Sequence, residues 1–123
     1  MKVFLILGAI NAMLAVGLGA FGAHGLEGRV SEKYLEVWKT GVQYHMFHAF
    51  GLFVVAFLAN LFPQSSLISS SGWVMLVGII FFSGSLYILT LSGIGILGAI
   101  TPIGGVAFIV AWLLIVIAAA KLL

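Results

Sequence analysis

The sequence predicts an all-α integral membrane protein, with four transmembrane helices in an antiparallel bundle and a short interfacial helix before the second. Three observations carry this. Of the 123 residues, 63% are hydrophobic and only 7% are charged, against roughly 25% charged in soluble domains. The mean hydropathy is +1.32. Four apolar runs have the roughly 20 residues that a helix needs to cross about 30 Å of hydrocarbon.

The first run is Val3–Ala23. It exceeds the usual signal-peptide core of about 7–15 residues. It also carries Gly8, Asn11, Ala12, Ala15, Gly19 and Gly22 at i+3 and i+4 spacing, a packing face that a disposable segment does not need. The run is therefore read as a retained span. A charged loop follows, His24–Gly41. Within it, residues 31–40 read as an interfacial helix. Ser31 serves as N-cap, and Tyr34, Leu35, Trp38 and Val42 share one side, with Tyr34 and Trp38 at headgroup level. Glu36 and Lys39 form an i, i+3 pair, and Gly41 offers a bend into the next span.

The second run covers about 42–62, the third 73–91 and the fourth 103–120, all within a single domain, 1–123. Residues 63–72 read as a polar Pro/Ser loop and 92–101 as a Gly-rich, uncharged one. In the third run Gly84 lies between Ser83 and Ser85, a position for a kink or close crossing. Thr101 is placed to cap the fourth helix, with Pro102 at its first position and Gly104 and Gly105 open to close approach. Arg29, Lys33 and Lys39 on one side oppose Lys2 and Lys121 on the other, so the positive-inside rule selects no orientation.

Composition excludes several chemistries. Cysteine is absent, which removes disulfides, thiolate metal sites and cysteine nucleophiles. All three acidic residues are glutamates in the charged loop, so no paired carboxylates lie in a span. No phosphate-binding glycine loop followed by lysine occurs, and a net charge of +2 makes no case for nucleic acid. The chain is read as not an enzyme and without a cofactor.

What remains is a polar cluster that four-span topology collects in the leaflet of the charged loop. It comprises His24, Gln43, Tyr44, His45, His48, Ser83, Ser85, Tyr87 and Thr101. Asn11 is the deepest polar side chain of the first span, expected to bond across helices. Buried polar groups in membranes face the bundle interior and find partners, so the histidines are expected to bond to Ser83, Ser85 or Tyr87. The leading reading is that they lock helix register. Two alternatives are a proton- or ligand-handling site and a metal site from His24, His45 and His48.

Four stretches in order then carry a resemblance: GAFGAHGL (Gly19–Leu26), TGVQYHMFHAFGL (Thr40–Leu52), FFSGSLYIL (Phe81–Leu89) and GAITPIGGVAFIVAWLL (Gly98–Leu114). Together they resemble the small bacterial YwdK/YgdD-type membrane proteins, whose eukaryotic relatives are called transmembrane protein 256. The resemblance implies a four-span protein of the bacterial cytoplasmic membrane from a family without an assigned activity, and it carries over no catalytic residue. The expected function is that of a structural or interaction module, in contact with the lipid bilayer and in homo-oligomeric form. The alternative is transport or small-ligand binding at the polar cluster.

Overall fold

The computed structural model describes residues 1–123. Helix α1 (Lys2–Phe21) continues into a π-helical turn, Gly22–Leu26. Helix α2 is Glu32–Leu61. Helix α3 (Ser66–Gly78), a second π-helical turn (Ile79–Gly84) and α4 (Ser85–Ser92) form one continuous rod. A 3₁₀ turn, Gly95–Ala99, leads into α5 (Thr101–Leu122). The resulting four helical rods are each long and apolar enough to cross a membrane, and the chain is an all-α, four-span membrane protein.

Two of the expected boundaries move. Residues 66–72 are helical, not loop. Ser65 caps α3 by accepting from the Ile68 amide, and Ser71 returns its hydroxyl to the Ile68 carbonyl, so serine is accommodated inside the helix. Residues 32–40 are the first turns of α2, which passes through Gly41 unbroken. Ser31 does cap it, accepting from the Tyr34 amide. At 30 residues α2 is about 45 Å long, more than the hydrocarbon requires, so these turns extend the span without a separate helix.

Neighbouring helices run in opposite senses along their contacts. Gly8 faces Ala49 and Phe53 of α2, Gly19 faces Val42, and Gly22 faces Trp38. Along the other side of α2, Gly41 faces Leu86 and Tyr87, and Gly51 faces Met75. Helix α5 lies along α3, with Phe108 over Gly78 and Gly104 against the backbone of Phe82. The central pair, α2 and the α3–α4 rod, is the more buried; α1 and α5 flank it.

Packing explains much of the glycine content. Phe53 sits on Gly8, Trp38 on Gly22, Met75 on Gly51, Phe4 on Gly72 and Phe108 on Gly78. A Cβ at any of these glycines would fall within 3.0 Å of the facing side chain. Lipid competes equally well for apolar surface, so membrane helices gain from such close fitting. The apolar core, with Leu52, Val55, Ile68, Met75 and Ala118 among its members, fills the half of the bundle away from the charged loop. Of the buried polar side chains, all but Ser71 occupy the other half and the midplane.

Candidate functional site

Helix α2 carries both histidines to the interior, each only 3% exposed. Their spacing of three residues turns them about 60° apart on the helix, and they reach different neighbours. The Nδ1 of His45 lies 2.9 Å from the Tyr87 hydroxyl and its Nε2 lies 2.9 Å from Asn11 Oδ1. Asn11 in turn donates Nδ2–H to the Leu7 carbonyl at 2.8 Å. A carbonyl only accepts, which fixes the Asn11 amide with Oδ1 toward His45. Nε2 of His45 therefore carries the proton, and Nδ1 accepts from Tyr87. One directed chain, Tyr87 to His45 to Asn11 to Leu7, ties α4, α2 and α1 together.

The other histidine is wired the opposite way. His48 Nδ1 is 2.7 Å from the Tyr44 carbonyl, so it donates; Trp112 Nε1–H donates to His48 Nε2 at 3.0 Å. An indole has no acceptor nitrogen, so Nε2 must be bare. The imidazole stacks flat on Phe108, with ring centroids 3.5 Å apart and an interplanar angle of 7°. This contact ties α2 to α5.

Further hydrogen bonds stitch the same half of the bundle. Ser83, in the second π-helical turn, donates to the Gly41 carbonyl at 2.8 Å. The Ser85 and Thr101 hydroxyls are 2.7 Å apart. Trp38, only 2% exposed, donates its indole N–H to the Leu18 carbonyl at 2.8 Å. No buried side-chain nitrogen or oxygen lacks a partner.

The expected cluster is thus divided. Of Ser83, Ser85 and Tyr87, only Tyr87 bonds to a histidine. His24 lies exposed in the first π-helical turn, and no group of three His, Cys, Asp or Glu side chains is placed to hold a metal ion. Thr101 does not cap α5; it is the first helical residue, and its hydroxyl goes to Ser85. Trp38 is not a headgroup anchor, because Gly22 leaves room for its ring beneath α1. Among the expected packing residues, Gly8, Asn11, Ala15, Gly22 and Gly104 are buried. Ala12 and Gly19 are partly so, and Gly84 has no close neighbour.

Two residues absent from the expected cluster complete the site, Asn11 and Trp112. Asn11 belongs to the small-residue face of α1, and its register opposite His45 follows from Gly8 meeting Ala49. Trp112 has only its aromatic N–H to mark it within an apolar run.

A cavity of about 550 Å³ opens between α2 and α5 beside His48, and another of about 500 Å³ lies beside His45 between α1 and the α3–α4 rod. The first is walled mainly by aromatic rings. At its rim Gln43 and Tyr44 are exposed, and their side-chain polar groups make no hydrogen bond within the protein.

Comparison with known proteins gives a consistent result. A family profile described as "Protein of unknown function (DUF423)" matches residues 18–105. The UPF0382 membrane protein YwdK of Bacillus subtilis is 68% identical over 123 residues, covering all of both chains. A UPF0382 membrane protein of Staphylococcus saprophyticus is 56% identical over 122 residues, 99% of this chain and 100% of its own. One from Staphylococcus epidermidis is 55% identical over 121 residues, 98% of each. No solved structure matches.

Proposed function

The chain belongs to the UPF0382 (DUF423) family of membrane proteins, a family of unassigned function, and we propose that it serves the bacterial cell membrane as a structural and interaction module rather than as an enzyme. One observation carries this reading: every buried polar side-chain atom is already satisfied by another group of the protein. Catalysis and transport call for polar groups left over for a substrate, and no buried polar atom of the histidine networks is left without a protein partner. Both nitrogens of His45 and of His48 are engaged. Their work is to hold α1, α4 and α5 against α2 at one register, a role that polar groups commonly have in membrane bundles.

A rigid bundle of this kind acts through its outer surface. The outward faces of α1 and α5 are lined by large apolar side chains such as Met13, Val16, Ile109 and Val116. The first partner to consider is a second copy of the chain. Because the protein has no cysteine, single cysteines at Val16, Phe57, Ile88 and Val116 report each helix separately. Oxidation in native membranes is expected to cross-link one face strongly and the others weakly. Equal, background-level cross-linking at all four positions would contradict an assembly role.

A further inference from the structure

The α2–α5 cavity is the one place where the bundle leaves both space and unspent polar capacity. Its walls are the rings of Tyr44, Phe47, Phe82, Phe108 and Trp112, with His48 behind them. Gln43 and Gly105 complete the end nearer the charged loop.

The adjacent glycines of α5 separate packing from space-keeping. At Gly104 a Cβ would run into the backbone of Phe82, which cannot yield, so glycine is required there by the helix crossing. At Gly105 a Cβ would meet only the Phe82 ring, at 3.8 Å, an ordinary contact. Glycine in a helix interior is less favourable than alanine, and the helix contact does not call for it at 105. A side chain at 105 would enter the cavity. Gly105 keeps that volume open.

Polarity inside the cavity is uneven. At the deep end the Trp112 N–H and both His48 nitrogens are consumed by each other and by the Tyr44 carbonyl. At the other end the Tyr44 hydroxyl and the Gln43 amide have no protein partner. An occupant must therefore place its hydrogen-bonding group toward the charged-loop side and an apolar, flat body among the rings. No acidic side chain lines the cavity, so it offers no counter-charge to a metal ion or a protonated amine. Aromatic faces carry partial negative charge and stack well on electron-poor rings. The volume lies in the range of about 300–1,000 Å³ usual for small-molecule sites.

We infer that the cavity between α2 and α5 binds the ring of a lipid-soluble quinone, a ring carbonyl accepting from the Tyr44 hydroxyl. The inference goes beyond the assembly reading and does not depend on it.

The test is a titration of the purified protein in lipid nanodiscs with 2-methyl-1,4-naphthoquinone, read by tryptophan fluorescence quenching. The expected result is a saturable component at one quinone per chain, above the linear quenching due to partition into lipid. Gly105→Leu should abolish the saturable component while melting no lower than the parent. Tyr44→Phe keeps the ring and loses the hydroxyl; it should weaken binding about three- to tenfold, the worth of one hydrogen bond. If Gly105→Leu does not fold, Tyr44→Phe alone decides. Purely linear quenching overturns the proposal, as does saturable binding unaffected by either substitution. Saturable binding of benzyltrimethylammonium without binding of the quinone would show a cation site and overturn it equally.

Discussion

His45 and His48, one turn apart on α2, carry their protons on opposite ring nitrogens. His45 donates from Nε2 to Asn11 and accepts at Nδ1 from Tyr87; His48 donates from Nδ1 to the Tyr44 carbonyl and accepts at Nε2 from Trp112. The same side chain is used twice with reversed polarity. One copy fastens α2 to α1 and α4, the other fastens it to α5.

The first network predicts a graded loss. Tyr87→Phe removes one inter-helix hydrogen bond, a contact that averages about 0.6 kcal/mol in membranes and reaches about 1.7. Asn11→Leu is expected to cost more, about 1–3 kcal/mol, because it leaves the buried His45 Nε2–H without an acceptor. Thermal melting in detergent orders the two. Combining Asn11→Leu with His45→Ala should cost less than the sum of the single changes, since both remove the same bond.

For the second network the informative change is Trp112→Phe. It preserves an aromatic ring and deletes the donor, stranding the bare Nε2 of His48. A loss of about 1–3 kcal/mol is expected, read as a lower melting temperature. His48→Phe, which can retain a flat ring over Phe108, strands the Trp112 N–H instead and should cost a similar amount. A Trp112→Phe protein as stable as the parent would remove His48 from the lock.

Gly104 and Gly105 predict opposite responses to one added methyl group. Gly104→Ala forces α5 away from the Phe82 backbone, at a cost of about 1–3 kcal/mol for overpacking. Gly105→Ala meets no obstacle and gains helix propensity, up to about 1 kcal/mol. Melting of the two variants side by side checks the contrast, and equal destabilisation would refute the crossing geometry.

Much of the fold was legible because composition and run length dictate it: a chain so poor in charge, with four runs of spanning length, has few alternatives to four helices. Where the polar loops end was not legible. Serine at positions 66, 69, 70 and 71 reads as loop, yet the helix runs through all four: Ser71 returns its hydroxyl to the Ile68 carbonyl, and Ser66, Ser69 and Ser70 lie on its exposed face. Thr101 and Trp38 misled for a related reason. Each has a strong local preference, for capping and for the headgroup zone, and each is claimed by a tertiary partner, Ser85 for one and Leu18 for the other.

At the candidate site, topology was enough to place the histidines inside the bundle and Tyr87 within reach. It could not divide them between two networks, because that depends on where α1 and α5 cross α2. Those crossings are set by small residues, Gly8 beside Ala49 and Gly104 on Phe82. Such contacts leave no periodic signal that distinguishes a partner within the chain from one outside it. Trp112 was hidden on the same account.

The most direct test of the lock is the protonation pattern of the two imidazoles. Two-bond ¹H–¹⁵N correlation of ¹⁵N-histidine-labelled protein in micelles, assigned with His45→Gln and His48→Gln, reports which nitrogen of each ring is protonated. The account predicts two fixed tautomers, Nε2–H for His45 and Nδ1–H for His48. The same tautomer at both positions, or rings averaging rapidly between forms, would show that the partners of α1, α4 and α5 do not hold them.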